Sequence, residues 1–89
     1  MILFSNGCSF LTPRPKDGVD TFTTKIIAEN YNMELANLAM GGRGNTRIGF
    51  STKVWVEQNK DKDIFAIIGW SSAVRYDYIT EDGWKYGRI

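Results

Sequence analysis

The stretch Met1-Ile-Leu-Phe-Ser-Asn-Gly-Cys-Ser-Phe10 decides the fold. Met1 to Phe4 is apolar without interruption, which suits a strand covered on both faces. Ser5, Asn6 and Gly7 then break the run, and Gly7 permits a sharp turn because it carries no side chain. Cys8 and Ser9 follow at once, two small nucleophile-type side chains at the carboxyl end of a strand. Open α/β sheets place their ligands at that end. The expectation is a central strand that delivers Ser9 to a binding rim.

Working outward, Leu11 to Gly18 carries two prolines and a glycine and reads as a loop. Asp20 is a helix-cap residue, and Phe22, Ile26 and Ile27 recur at helical spacing up to about Asn30, a stripe expected to pack into the core. Met33 to Leu38 reads as a second strand. The glycine-rich run from Ala39 ends at Asn45, another cap residue, ahead of a helix expected from Thr46 to about Asn59. Ile48, Thr52 and Trp55 would line its inner face, with Val54 and Val56 beside them. Gly49 near its start costs up to about 1 kcal/mol relative to alanine, which points to a close contact there. Asp63 to Gly69 is apolar from Ile64 onward and predicts a third buried strand.

Strand, helix, strand, helix, strand with short links is a parallel α/β pattern. Right-handed crossovers place the first strand between the others, so the predicted fold is flavodoxin-like, three-layer α/β/α, with a short parallel sheet in order 2-1-3. Residues 74–87 alternate around Asp82-Gly83 and predict a C-terminal β-hairpin. Residues 1–89 form one domain.

Composition narrows the function classes. A net charge of +1, with basic residues scattered along the chain, gives no reason to expect nucleic acid or an anionic membrane surface as partner. No apolar run reaches the roughly 18–20 residues that span a bilayer, and nothing resembles a signal peptide, so the expected compartment is cytoplasmic. A single cysteine excludes an internal disulfide and argues against a cysteine-rich metal site. No cofactor and no metal are expected. There is also no histidine, the commonest general base near neutral pH.

Three strand-end segments should meet on one rim. Gly7-Cys-Ser-Phe offers a hydroxyl on a turn. Gly41-Gly-Arg-Gly-Asn offers backbone amides ahead of a helix N-terminus, and Gly69-Trp-Ser-Ser offers further hydroxyls and amides. A nucleophile facing several N–H donors is what acyl transfer requires, because negative charge develops on the carbonyl oxygen.

Over residues 1 to about 75 the chain resembles the SGNH (GDSL-like) hydrolase family. Gly7-Cys-Ser stands where that family carries Gly-Asp-Ser, Asn37-Leu-Ala-Met-Gly-Gly resembles its Asn-x-Ala-x-x-Gly block, and Gly69-Trp-Ser stands at its Gly-x-Asn block. Cys before the serine, with an Ile-Gly-Trp block followed by Arg, is similar to the SGNH-type proteins of tailed phages. The resemblance implies a serine esterase or acyl hydrolase acting on a small ester or acylated carbohydrate. It makes Ser9 the nucleophile and Gly42 and Ser71 oxyanion-hole donors, with Gly7, Cys8, Asn45 and Gly69 in support. Two departures accompany it: nothing here matches the family's Asp-x-x-His block, and the chain has three parallel strands' worth of residues against the usual five. The 89-residue chain is therefore expected to be incomplete relative to the family and inactive, or nearly so, on its own.

Blander roles stand beside these. Ser9 can bond its own turn, Cys8 can be a small buried filler, and Gly42 and Asn45 can serve turn geometry and capping. Arg43 and Arg75 are solvated by default. Trp70 and the Tyr76/Tyr78 pair suit core cover or a subunit contact as well as sugar stacking. Two other classes of function stay open: a non-catalytic binding or assembly module using exposed strand edges or the hairpin toward a second copy or a partner chain, and, with less support, a phosphate site at Gly41 to Asn45.

Overall fold

The computed structural model describes residues 1–18, 20–72 and 75–88, except for the side chains of Phe10, Asp17, Arg75, Tyr76, Tyr86 and Arg88. Three strands, β1 (Ile2–Gly7), β2 (Glu34–Asn37) and β3 (Ile64–Gly69), form a parallel sheet in the order β2-β1-β3. Helix α1 (Thr23–Asn30) links the first two and α2 (Asn45–Gln58) links β2 to β3. An antiparallel hairpin, β4 (Arg75–Thr80) and β5 (Gly83–Arg88), follows. The α/β class, the strand order and the hairpin are those expected, whereas β3, expected to be buried, leaves Phe65 and Ala66 exposed. Among the described residues no helix is long and apolar enough to cross a membrane.

β1 is longer than its apolar run. Ser5, Asn6 and Gly7 do not end the strand but continue it, pairing with Ile67, Ile68 and Gly69 of β3. Their polarity is accommodated because each polar side chain has a buried partner. The Ser5 hydroxyl lies 2.8 Å from that of Thr24 on α1. Asn6, which is completely buried, donates through Nδ2 to the Ile48 carbonyl (3.1 Å) and to the Ser51 and Thr52 hydroxyls (2.8 and 3.0 Å) of α2. Its Oδ1 accepts from the Gly7 N–H at 2.9 Å. Adjacent strand residues point to opposite sides, so Ser5 serves α1 while Phe4 and Asn6 serve α2.

The apolar core is built on the same alternation. Leu3, Phe4 and Ile48 are fully buried, each stabilising the fold by about 1.5–3 kcal/mol relative to exposure. Phe4 stacks on Trp55 with ring centroids 4.4 Å apart, worth about 0.5–1.5 kcal/mol more. Ile48, Thr52 and Trp55 thus do line the inner face of α2. On α1 the expected stripe is corrected: Thr24 and Ala28 are the buried residues, and Ile26 is exposed. The small residues Thr24 and Ala28 meet the sheet, with Thr24 bonded to Ser5.

Both expected caps are corrected too. Phe22, not Asp20, precedes the first turn of α1, without a side-chain cap bond. Gly44 precedes α2, and Asn45 is its first residue. The loop after β1 carries two single turns of 3-10 helix, Ser9–Leu11 and Pro15–Asp17. Pro15 opens the second turn, where its missing N–H is not needed, and Pro13 lies between the two turns.

Gly49 does not mark a close contact. A Cβ there would meet only Trp70 Cη2, at an ordinary 4.0 Å. Gly49→Ala is therefore expected to raise stability by about 0.5–1 kcal/mol, seen as a higher urea midpoint at unchanged m-value.

Candidate functional site

All three β-strand ends of the sheet open on one rim, and backbone pairing fixes how closely the loops leave it. Gly7 lies opposite Gly69. A Cβ on Gly7 would sit 2.6 Å from the Gly69 carbonyl oxygen, so only glycine permits this approach. Leu11 folds back over the pair, its Cδ1 3.1 Å from the Cβ position of Gly7 and 2.9 Å from that of Gly69. The first and third loops therefore begin side by side under one leucine.

The second loop is zipped to β1 beyond the end of β2. The Leu38 N–H donates to the Ser5 carbonyl at 2.8 Å and the Met40 N–H to the Gly7 carbonyl at 3.2 Å. Asn37 ties this loop to the first, donating from Nδ2 to the Leu11 carbonyl at 2.9 Å and accepting from the Ala39 N–H at 3.1 Å. The path brings Gly41 against Ser9: a Cβ on Gly41 would lie 3.6 Å from the Ser9 Cβ. Gly42, next in the chain, has φ of +82°, a left-handed conformation that favours glycine. Among the described residues the Ser9 hydroxyl has no hydrogen-bond partner, although the Ser9 carbonyl accepts from the Thr12 hydroxyl at 2.9 Å. Cys8 beside it is buried, as a filler would be.

Asn45 reads the third loop. Its Oδ1 accepts from the Ser71 N–H at 2.7 Å and its Nδ2 donates to the Ser71 carbonyl at 3.2 Å. This two-bond bridge replaces the capping role expected of Asn45, and it fixes the backbone of Ser71 to the start of α2. The Ser71 N–H is thereby taken, and its hydroxyl points to the Ser72 carbonyl at a long 3.4 Å. Trp70 is 60% exposed beside Gly49.

Arg43 is not a solvated surface arginine. Its guanidinium turns inward, donating to the Leu38 carbonyl at 2.7 Å and to the Met40 sulfur at 3.1 Å, so it staples its own loop. Burial, then the neighbouring Arg47, lower its pKa from the ordinary value, while Asp77 opposes the shift. Asp77 reaches across from β4 and accepts from the Arg47 N–H of α2 at 3.2 Å. Among the described residues Arg43 Nε and Asp77 Oδ1 are buried without a hydrogen bond. The hairpin is also held by Trp84, whose ring lies 5.7 Å from Phe50 and 5.6 Å from the Arg47 guanidinium. A carboxylate thus already stands at the α2 N-terminus, and phosphate bound there would have to displace it. The side chains of Arg75 and Tyr76 fall outside the described residues; Tyr78 is half-exposed.

The structure therefore brings Ser9 against Gly41, and Asn45 against Ser71, on a rim that starts from the Gly7–Gly69 pair. Sequence reading missed the positioning side chains Asn6 and Asn37 and the inward turn of Arg43. Asn6 carried a signal: a polar residue two places after Phe4 on a strand shares its buried face. Compared with protein-family models, curated proteins and solved structures, the chain matches none of them.

Proposed function

We propose that this chain is an SGNH-like scaffold for acyl transfer, of flavodoxin-like three-layer α/β/α type, with Ser9 in the nucleophile position. The observation that carries the proposal is the approach of Gly41 to Ser9, which sets a glycine-rich loop beside a hydroxyl that no other described group engages. In the mechanism Ser9 attacks the carbonyl carbon of a small ester or an acylated carbohydrate. The Ser9 and Gly42 N–H groups receive the negative charge that develops on the carbonyl oxygen. Ser71 can add only its hydroxyl, since its N–H is held by Asn45. The proton of Ser9 passes to a base from outside these residues, because the chain contains no histidine. Without that base, catalysis falls to what donors and binding provide, roughly 10³–10⁴-fold over water in hydrolases stripped of a triad member.

Labelling by a fluorophosphonate tests this. The chain should label slowly, faster when imidazole is supplied as an external base, and Ser9→Ala should abolish the labelling. Labelling that survives in Ser9→Ala, or none even in imidazole, overturns the nucleophile role. A second function of the same scaffold, non-catalytic assembly, is favoured by one observation: Phe65, within an uncharged edge strand, is 52% exposed.

A further inference from the structure

Resting on the acyl-transfer function above, we propose that Arg43 is the positioning residue of the Gly41–Gly42 turn. Its guanidinium holds the turn in shape and leaves the N–H groups there free to meet an oxyanion. The turn needs such a hold. On one side the loop is zipped to β1 as far as the Met40 N–H, which donates to the Gly7 carbonyl. On the other side α2 begins at Asn45. Between these fixed ends lie two adjacent glycines, the residue type that loses most backbone freedom on ordering. Among the described residues neither the Gly41 nor the Gly42 N–H has an acceptor within the chain. Backbone pairing therefore does not fix the turn.

The Arg43 side chain does. Its Nη1 donates to the Leu38 carbonyl at 2.7 Å and its Nη2 to the Met40 sulfur at 3.1 Å. One planar group thus ties the residue leaving the turn to two residues that enter it. A guanidinium carries donors and no acceptor. It fastens the loop through a carbonyl and a thioether, and competes for none of the loop's N–H groups. A serine, asparagine or aspartate would instead accept from those N–H groups, as Asn37 accepts from Ala39, and would occupy them. The conformation held in this way is the one in which Gly42 takes φ of +82° and the Cβ position of Gly41 stands 3.6 Å from Ser9 Cβ.

The inward turn of Arg43 is unfavourable for the guanidinium itself, which argues against a role in stability alone. Among the described residues its Nε is buried without a hydrogen bond, and a buried donor without a partner is rarely kept. Arg47 repels the guanidinium, while Asp77 of the hairpin acts against that repulsion. Lysine could not substitute, because one ammonium on a flexible stem does not span two acceptors in a fixed plane.

Fluorophosphonate labelling in imidazole, followed against reagent concentration, separates positioning from binding. Arg43→Ala should label about 10–100-fold more slowly at saturating reagent, the effect of misplacing a donor by about 1 Å, with an unchanged half-saturating concentration and circular dichroism spectrum. Arg43→Lys keeps the charge and should be nearly as slow; it carries the same test where Arg43→Ala does not fold. In ¹⁵N relaxation of the same proteins, Gly41 and Gly42 should pass from order parameters near about 0.85 to below about 0.6, with the interior of α2 unchanged. A parent protein that does not label through Ser9 overturns the acyl-transfer function, and the hold of Arg43 on the turn is then decided by the relaxation data alone. Unchanged order parameters at the two glycines, a lysine variant as fast as the parent, or a loss confined to the half-saturating concentration overturns the positioning role.

Discussion

Gly7→Ala is expected to destabilise the chain by about 3 kcal/mol, lowering the melting temperature by roughly 12–24 °C. The added methyl group would stand 2.6 Å from the Gly69 carbonyl oxygen, and that oxygen belongs to the strand paired with β1. It moves only if the β1–β3 ladder opens at the rim. Gly69→Ala provides the comparison. Its methyl group meets Leu11 Cδ1 at 2.9 Å, the end of a side chain that can change rotamer, so the cost falls to about 1 kcal/mol. Thermal unfolding of both variants checks the ordering. A Gly7→Ala protein as stable as Gly69→Ala would show that the backbone approach is not a constraint.

Asn6→Asp is expected to be as severe at neutral pH, about 3 kcal/mol or more, because the amide is completely buried and its Nδ2 has three oxygen atoms of α2 within 3.1 Å. A carboxylate cannot donate, and it faces the Ile48 carbonyl and two hydroxyls without a described cation beside it. Burial would raise the folded-state pKa of this aspartate above its unfolded value of about 3.9. The ionisation penalty is then absent below that unfolded value and grows as pH rises toward the folded pKa. The stability gap to the parent protein should therefore narrow below about pH 4, while Asn6→Leu, which leaves the Gly7 N–H without its acceptor, should show a gap of about 2–3 kcal/mol at every pH. Urea titrations at pH 3.5 and 7 separate the two. A pH-independent gap in Asn6→Asp would mean that the side chain reaches water.

Strand order and element sequence were legible because apolar runs at Met1 to Phe4 and Ile64 to Ile68, separated by helical patterns, leave few right-handed topologies. What stayed hidden depends on partners distant in sequence. Asn6 reads as a turn residue until Ser51 and Thr52 are brought within 3 Å of it, some 45 positions later. Asn45 reads as a cap because its bond to Ser71, 26 positions away, carries no local signal. On α1, Phe22 and Ile26 have the helical spacing, yet Thr24 and Ala28 face inward, and the bond from Thr24 to Ser5, 19 positions away, carries no local signal. The rim residues Ser9 and Gly42 were legible as positions by their place after strands; their chemistry rests on family resemblance and on the Gly41 contact.

The Asp77 bond to the Arg47 N–H sets an order in time. Translation delivers about 5–20 residues per second, so the 30 residues between them separate the two groups by roughly 1.5–6 s. Through that interval α2 has emerged with its first turn lacking this acceptor, and nanosecond-per-residue helix growth has long since equilibrated. Docking of the hairpin is then a late event that locks a helix already searching its register. A nascent chain arrested with α2 but not the hairpin outside the ribosome should leave the first turn of α2 open to rapid amide exchange, and arrest with the hairpin outside as well should protect it.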